Sequence, residues 1–468
     1  MAKSLPQNKL LEGIFKPWSA ESAINDLIVI GEIPHELDGI FFRNGPNPQY
    51  VFSEKYHFFG GDGMIHALSF KGGRVCYQNK WIRTNKFNLE RDARRSLFAG
   101  FREFGKSDPS VQNMRAETAN TNIISHGGKL FALQEAGMPY QLNPETLETI
   151  GAMSFDGQLK NSMTAHPKID HVTGELIFYS YINPIETEYI YYYVASKDGN
   201  ITKCEKIDIP YLSLLHDFAI TKDYVIFPLF PLVMSYQRMF TGGELYQWEP
   251  ELGSYFGIMP RDGNNQDVVW IHVPEASCLS IHTVAAYQEG NLVILDTMLA
   301  DNIPSGANGF TADADSFPNY LTRWVFDIST KSFISKTVLD DIPGEFPRID
   351  DRFMGTKYRH AYIAATLYSK WYGYSFDAIV HYDLANNTKQ IHDFGFGNIP
   401  AEPIFVPRHI EASEGDGFLL TYVYREKEDR SDLVILDALH VGHDPLAIIQ
   451  MPHRVPFGFH GSWVSDQN

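Results

Sequence analysis

The sequence predicts an all-β protein whose repeated antiparallel hairpins close into a β-propeller. Segments rich in β-branched and aromatic residues recur along the chain, and each follows a turn that contains glycine or aspartate. Examples are KLFALQ (129–134), ELIFYSYI (175–182), NLVILDTM (291–298) and GFLLTYVY (417–424). Closure into a propeller removes the exposed sheet edges that so many hairpins would otherwise leave. A pair of β-sandwich domains is the alternative.

Helical periodicity is scarce, so few helices interrupt the predicted strands. Residues 89–104 (LERDARRSLFAGFREF) and 231–240 (PLVMSYQRMF) are the best candidates for short helices. No linker rich in Ser, Gly or Pro and no block of charge divides the chain, and aromatic residues make up 14% of it. We therefore expect residues 1–468 to form a single domain.

Composition excludes several classes of partner. The 468 residues carry a formal net charge of −18, which opposes binding to nucleic acid or to an anionic membrane surface. Cys76, Cys204 and Cys278 have no metal-ligand spacing and suit a reducing compartment. The N-terminus lacks the apolar run of a secretory signal. These features predict a cytoplasmic protein with no nucleic-acid partner and no obligatory protein partner.

Three histidines occupy the same place in three similar hairpins. The turn glycine follows eight residues after His166 (Gly174) and eight residues after His282 (Gly290), and an apolar strand comes next in both cases. His216 precedes a Lys-Asp turn and a similar strand, VIF. The separations of 50 and 66 residues approach the repeat length of known propellers. Equivalent positions in successive blades point to one axis, and His460, 178 residues further on, is a fourth candidate.

Four axial imidazoles would form a metal site. Neutral imidazole is the commonest protein ligand for divalent transition metals, and carboxylates that accept the other ring N–H would orient the rings. A structural zinc usually recruits cysteine, whereas octahedral iron(II) would keep two positions open for dioxygen and substrate. The alternative is that these are ordinary core or surface members of the 17 histidines.

Six phrases in order resemble the carotenoid cleavage oxygenase family over nearly the whole chain. They are FFRNGPNPQY (41–50), YHFFGGDGMIHAL (56–68), ANTNIISHGGKLFALQEAGMPYQLNPETLET (119–149), GEFPRID (344–350), EPIFVPR (402–408) and FHGSW (459–463). The resemblance implies a seven-bladed β-propeller in which short helices and loops cap an axial iron(II), one per chain. The implied iron ligands are His166, His216, His282 and His460.

The resemblance also implies outer carboxylates, which correspond to Glu135, Glu345 and Glu402. Three carboxylates serve four imidazoles, so we expect one histidine, His166, to lack such a partner. The chain departs from the family pattern after His282. Where the family often has asparagine and glutamate, it has Ala285 and Gln288. The polar contacts near this ligand are therefore expected to differ.

The family divides by substrate. Its stilbene-cleaving members carry a lysine before the first outer glutamate and a tyrosine upstream, which bind the phenol; here Gln134 and Phe101 stand at those places. Neither side chain accepts a phenol proton. We therefore expect a carotenoid or apocarotenoid in an apolar tunnel, with Phe101, Gln134 and Phe59 as tunnel candidates. Cleavage of a stilbene is the alternative substrate prediction. The double bond that is cleaved does not follow from the sequence.

A polyene dissolves in membranes, so the tunnel mouth is expected to be apolar. The segment from Tyr224 to Phe240 (YVIFPLFPLVMSYQRMF) is either a lipid-facing patch or an interior strand with a packed turn. The glycine-rich FGGDG (59–63) lacks the lysine and helix of a phosphate-binding loop and is interpreted as architectural.

The resulting hypothesis is a non-haem iron(II) dioxygenase that cleaves one C=C bond of a polyene into two carbonyl products. It needs O2 and assigns no acid–base residue beyond the metal centre. The alternatives from other classes are a propeller that serves as a binding scaffold, with a structural metal or none, and an iron-dependent isomerase or hydrolase.

Overall fold

The fold was obtained as a computed structural model that describes residues 7–466 apart from 101–102, 104, 136, 182–187, 275–277, 302–316 and 369–374. Strands dominate these residues, and seven antiparallel sheets follow one another along the chain. The prediction of an all-β, seven-bladed propeller is therefore confirmed.

The first four blades use the N-terminal half of the chain. Blade 1 contains Ser22–Asn25, Gly39–Pro46, Gly63–Lys71, Arg74–Trp81 and Gly461–Ser465. Blade 2 contains Asn122–His126, Lys129–Leu133, Tyr140–Leu142 and Thr149–Ala152. Blade 3 contains Lys168–Ile169, Leu176–Ser180, Tyr189–Ala195 and Ile201–Asp208. Blade 4 contains Ala219–Ile220, Tyr224–Leu229, Ser254–Pro260 and Val269–Val273, with a ribbon of Leu232–Met234 and Tyr246–Trp248 inserted.

Blades 5 to 7 complete the ring. Blade 5 contains Cys278–Glu289, Leu292–Asp301, Tyr320–Asp327 and Ser332–Val338. Blade 6 contains Gly344–Ile349, His360–Ala365, Ala378–Asp383 and Thr388–Asp393. Blade 7 contains Ile28–Gly31, Asn398–Pro400, Ile404–Pro407, Gly417–Arg425, Arg430–Asp437 and Ala447–Gln450.

Both ends of the chain close the ring. The C-terminal strand Gly461–Ser465 pairs with Gly39–Pro46 in blade 1, and the N-terminal strand Ile28–Gly31 pairs with Ala447–Gln450 in blade 7. In each of these blades, one strand contacts the equivalent strand of the neighbouring blade, and we call it the inner strand. The inner strands of blades 4, 5, 6, 7, 1 and 2 contact one another in that order. Residues on these strands therefore face a common axis.

Large aromatic side chains fill the space between blades. Tyr192 of blade 3 packs against Phe227 of blade 4 with ring centroids 6.0 Å apart, and Phe256 of blade 4 packs against Trp324 of blade 5 at 4.8 Å. All four side chains are fully buried. Burial of aromatic area on this scale is what holds neighbouring sheets face to face.

Both helix predictions were wrong in their bounds. The first helix spans Asn85–Ala93, because Thr84 caps its N-terminus and Arg94 ends it in the left-handed conformation at φ 53°. In the second segment Leu232–Met234 forms a strand, because Tyr246–Trp248 pairs with it, and only Tyr236–Phe240 is helical. The remaining helical elements of the described residues are short 3₁₀ turns: Lys9–Leu11, Gly13–Phe15, Phe58–Gly60, Pro109–Val111, Pro250–Leu252, Asn265–Asp267, Asp351–Phe353 and Glu426–Glu428.

Candidate metal centre

Four blades each bring one histidine to the axis at the inner strand. His166 precedes Lys168–Ile169 in blade 3, and His216 precedes Ala219–Ile220 in blade 4. His282 lies within the inner strand of blade 5, and His460 directly precedes that of blade 1. The ribbon inserted in blade 4 explains why the second separation exceeds the first.

The four imidazoles converge on one point. The ring centroid of His166 lies 4.5 Å from those of His216 and His460 and 5.0 Å from that of His282. The Nε2 atoms of His166 and His216 are 2.9 Å apart. Ligand atoms of His166, His216 and His282 all lie within 4.8 Å of one another. The His460 ring completes the group, 4.9 Å from the His282 ring.

The three other blades supply glutamates that bind three of the histidines. Glu135 Oε2 of blade 2 lies 2.9 Å from His216 Nδ1, and Glu345 Oε2 of blade 6 lies 2.5 Å from His282 Nδ1. Glu402 Oε1 of blade 7 lies 2.9 Å from His460 Nδ1. A carboxylate beside Nδ1 accepts a hydrogen bond from the Nδ1–H group. The ring then carries its lone pair on Nε2, which points toward the axis.

The surroundings of His166 differ from those of the other three histidines. No carboxylate partner of its imidazole is found in the part of the chain that the structure describes, and Thr164 Oγ1 accepts the backbone N–H of His166 at 3.1 Å. Burial, reinforced by the three neighbouring imidazoles, holds the pKa of His166 well below its usual value. This ring is therefore neutral without help from a carboxylate.

The carboxylates act unequally on the other rings. Burial lowers the pKa of His460 to about 4, although Glu402 acts in the opposite direction. Burial also opposes the charged form of His282, but Glu345, Asp217 and Glu402 together outweigh it and raise the pKa of that imidazole. Burial favours the neutral form of Glu402 too, yet His460 and Arg348 lower its pKa to about 2.

These residues fit a divalent metal ion. His282 Nε2 is buried and has no hydrogen-bond partner among the described residues. A buried nitrogen of this kind is costly unless a ligand occupies it. With Nδ1 directed at carboxylates, three rings turn Nε2 toward the common point, where the lone pairs could bind a cation whose charge the glutamates offset.

A family model described as retinal pigment epithelial membrane protein matches residues 15–465. The isoeugenol monooxygenase of Pseudomonas nitroreducens is 38% identical over 99% of both chains. The carotenoid 9,10(9',10')-cleavage dioxygenase 1 of Arabidopsis thaliana is 33% identical over 99% of this chain and 91% of its own. This protein is a member of the carotenoid cleavage oxygenase family. The crystal structure of a lignostilbene dioxygenase from Pseudomonas brassicacearum agrees, with a TM-score of 0.92 and 34% identity over 99% of this chain and all of that one.

Beyond the residues that the resemblance identified, a buried ion pair ties the inner strands of this oxygenase together. Lys168 Nζ donates to Asp217 Oδ1 at 2.7 Å, while Thr283 donates to Asp217 Oδ2 through its backbone N–H at 2.9 Å and its hydroxyl at 2.8 Å. Lys168, Asp217 and Thr283 lie within two residues of His166, His216 and His282. The Asp217 clamp thus fixes three ligand-bearing strands. The sequence analysis missed it, although HD at 216–217 and HT at 282–283 repeat a polar residue after the histidine.

Bulged strands aim two of the site residues. The pairing register shifts around His282 in blade 5 and after Glu345 in blade 6, and Phe346 has a left-handed backbone at φ 53°. Its backbone N–H donates to Glu345 Oε2 at 2.7 Å, and its ring centroid lies 5.5 Å from that of His282 and 5.2 Å from that of His460. Bulges commonly re-aim side chains beside active sites. Phe346 therefore forms an apolar wall of the centre.

The predicted tunnel residues have different surroundings. Phe59 packs in an aromatic group with Phe58 and Phe459, the residue before His460. The Oε1 atom of Gln134 accepts the Ala119 backbone N–H at 2.8 Å, and the Thr118 backbone N–H is bound to the same oxygen. Its carbonyl is thus held by a loop. Phe101 lies outside the described residues.

The two departures from the family pattern do not touch the His282 imidazole. Ala285 is buried in the apolar core between blades 5 and 6. Gln288 Oε1 accepts from Thr221 Oγ1 at 2.6 Å, and its Nε2 donates to Asp223 Oδ2 at 2.9 Å. Gln288 therefore joins blade 5 to the turn of blade 4. The Nδ1 contact of His282 with Glu345 is intact.

The segment that begins at Tyr224 divides into two parts. Tyr224–Leu229 is a core strand of blade 4, as the alternative interpretation held. Phe240, at the end of the short helix, is 78% exposed. Within the described residues no helix is long and apolar enough to span a bilayer.

Proposed function

We propose that this oxygenase binds one iron(II) per chain and uses O2 to cleave a C=C double bond into two carbonyl products. The observation that carries the proposal is the convergence of four imidazoles, three of which have a glutamate at Nδ1. The proposed iron ligands are His166, His216, His282 and His460.

Bound iron would supply the activation of dioxygen and the redox chemistry of the cleavage. Burial favours the neutral form of His166 and His460 by lowering the pKa of each, so that their lone pairs are available. Glu135, Glu345 and Glu402 accept the outer N–H groups and hold each ring in one tautomer. Phe346 covers two of the rings and keeps water from that side. A ligand set of imidazoles with outer carboxylates suits iron and gives no role to thiolates.

We further propose a carotenoid or apocarotenoid as the substrate. An apolar polyene is recognised by aromatic and aliphatic walls, and the Phe346 ring lies beside the rings of His282 and His460. The carbonyl oxygen of Gln134 is engaged by the backbone of a loop and is not free to accept a phenol proton. The Arabidopsis relative acts, by its name, on carotenoids.

A stilbene or another aryl alkene is the second candidate. It is favoured by the similarity to the lignostilbene dioxygenase structure and to the isoeugenol monooxygenase. In this case the alkene would be bound by its aromatic rings against the phenylalanine side chains, because Gln134 offers no charged partner to a phenol.

The experiment incubates the ferrous protein with an apocarotenal, a hydroxystilbene and isoeugenol under ¹⁸O2, followed by mass analysis of the products. We expect cleavage of the apocarotenal, with both oxygen atoms of O2 recovered in the two carbonyl products. Cleavage of the aryl alkenes alone would overturn the substrate proposal and leave the iron proposal intact. Products without label would show an isomerase or hydrolase.

Elemental analysis tests the metal separately from activity. We expect about one iron per chain after loading with ferrous ion and gel filtration. A chain that takes up no iron, or only zinc, would instead be a scaffold with a structural metal or none.

The proposal also covers the cellular location of the enzyme and its contact with membranes. We propose a cytoplasmic protein that contacts the membrane at Phe240, where an apolar side chain is exposed beside the half-buried Tyr236. Co-sedimentation with neutral phosphatidylcholine vesicles tests this contact, and Phe240→Ser is expected to reduce the bound fraction.

A further inference from the structure

A small cavity lies beside the metal centre, between blades 1, 6 and 7 and the N-terminal segment. Phe346 and Phe376 separate it from the histidines, and their rings are 5.8 Å apart. Most of the remaining wall is apolar and includes Ile14, Ile399 and Val455. The cavity has a volume of about 20 Å³, which is room for one or two water-sized molecules. The proposed chemistry makes no use of this space.

A buried cation without a partner faces this cavity. Arg43 is 4% exposed, and its guanidinium makes no hydrogen bond or ion pair within the part of the chain that the structure describes. Its side chain lies against Gly458, where an added Cβ would approach Nε to 3.0 Å. Burial lowers the pKa of Arg43 to about 10, so the group is charged at neutral pH. Buried arginine is rare unless it is paired.

The carboxylate that would be the natural partner of Arg43 is already used. Glu402 binds His460 Nδ1 and accepts the backbone N–H of Gly461 at 2.8 Å, and Arg348 lies 3.6 Å from the same carboxylate. Glu402 thus offsets the charge of Arg43 through space without satisfying its N–H groups.

A second unpartnered donor lines the same cavity. The hydroxyl of Tyr422 is buried and has no hydrogen-bond partner among the described residues. Two neighbours on the cavity wall differ from it, since Tyr424 donates to Asp429 Oδ1 at 3.1 Å and the hydroxyl of Ser431 accepts from Val455 N at 2.9 Å. Among the described side chains that line this cavity, Arg43 Nε and the Tyr422 hydroxyl are thus buried donors without a hydrogen-bond partner.

We propose that Arg43 and Tyr422 form a binding site for one small monovalent anion of the size of chloride. The guanidinium supplies the positive charge and fixed N–H donors, and the phenol adds an O–H donor. The small volume favours a single-atom anion over larger anions such as sulfate or phosphate. An anion removes the cost of the unpaired buried cation, which water does not.

Crystals of the full chain grown in sodium bromide give the direct test, because bromide scatters anomalously. We expect one anomalous peak within hydrogen-bonding distance of the guanidinium of Arg43 and of the Tyr422 hydroxyl. A peak that is absent there, with density explained by water, overturns the proposal. Peaks at exposed lysine side chains alone would mean an adventitious ion only and would also overturn it.

Thermal unfolding in solution tests the same site without a crystal. At matched ionic strength we expect the Tm of the full chain to be about 2 °C higher in sodium chloride than in sodium gluconate. Tyr422→Phe should remove at least about half of this rise. The matched control, Tyr424→Phe, lines the same cavity and should keep it. A chloride effect that is absent, or equal in both variants, contradicts the assignment and is independent of iron and of catalysis.

Discussion

The candidate metal centre and the Arg43 cavity are neighbours inside one propeller, yet the ions that we propose for them have opposite sign. Each contains a buried nitrogen without a protein partner among the described residues: Nε2 of His282 and Nε of Arg43. Both are bounded by Phe346. The difference lies in the other polar atoms of the two side chains. Glu345 accepts the outer N–H of His282, whereas the guanidinium of Arg43 has only N–H donors, and its Nε has no partner among the described residues.

This comparison shows that burial alone does not define the ligand of a site. A carboxylate behind an imidazole leaves a lone pair facing inward, which binds a cation. A guanidinium leaves donors facing inward, which bind an anion. If this account is correct, substitutions on the two sides of Phe346 affect metal and halide binding separately.

The largest expected effect is the loss of iron on removal of a ligand. His282→Ala deletes the imidazole whose Nε2 has no partner among the described residues. Replacing a residue that only hydrogen-bonds a ligand typically lowers metal affinity by roughly 10- to 100-fold, and loss of the ligand itself should lower iron affinity by more. Iron content after dialysis measures it. His171→Ala, at an exposed histidine of blade 3, should keep about one iron per chain. Equal iron in both variants would remove His282 from the site.

The next effect concerns the Asp217 clamp. Asp217→Asn leaves Lys168, whose side chain is 11% exposed, without its charged partner, and breaking a buried ion pair costs about 3 to 5 kcal/mol. Denaturant unfolding of the metal-free chain should show this loss. Asp341→Asn removes one partner of an exposed pair with Lys389 and should cost less than about 1 kcal/mol. Similar stabilities of the two variants would show that the clamp is dispensable.

The third effect is a change in iron affinity on loss of a carboxylate that hydrogen-bonds a ligand. Glu345→Gln keeps the shape of the side chain but removes the charge behind His282, so iron affinity should fall by about 10- to 100-fold while the chain stays folded. Competition with a chelator measures the affinity. Glu289→Gln, whose carboxylate contacts Lys357 at the far end of the same strand as His282, is the control and should bind iron normally.

The smallest effect is expected on the anion side. Because the Tyr422 hydroxyl has no partner among the described residues, Tyr422→Phe in chloride-free buffer should change the free energy of unfolding by less than about 1 kcal/mol. Its iron affinity should equal that of the original chain. A destabilisation of about 3 kcal/mol without chloride would show that the hydroxyl has a partner and would weaken the contrast between the two sites.

Much of the fold, and the convergence of the candidate histidines, was predictable from local sequence patterns. Strand composition and turn residues repeat in each hairpin, and a histidine at one place in that repeat reaches the axis in blades 3, 4 and 5. The helix bounds were less predictable, because Leu232–Met234 became a strand only by pairing with residues 12 to 16 positions away. Phe346 was missed because its left-handed backbone has no signal in its residue type.

The sequence by itself determined an all-β chain with repeated hairpins and, through its family motifs, the four histidines and three glutamates, since each is encoded within a few neighbouring residues. Only the tertiary structure decided which glutamate meets which histidine, how Asp217 joins three strands and that Arg43 Nε is buried without a partner among the described residues. The reason is ring closure. Strand pairing within blade 1 joins residues as distant in sequence as Arg43 and Gly461, and their positions are set only when the C-terminal strand completes this blade.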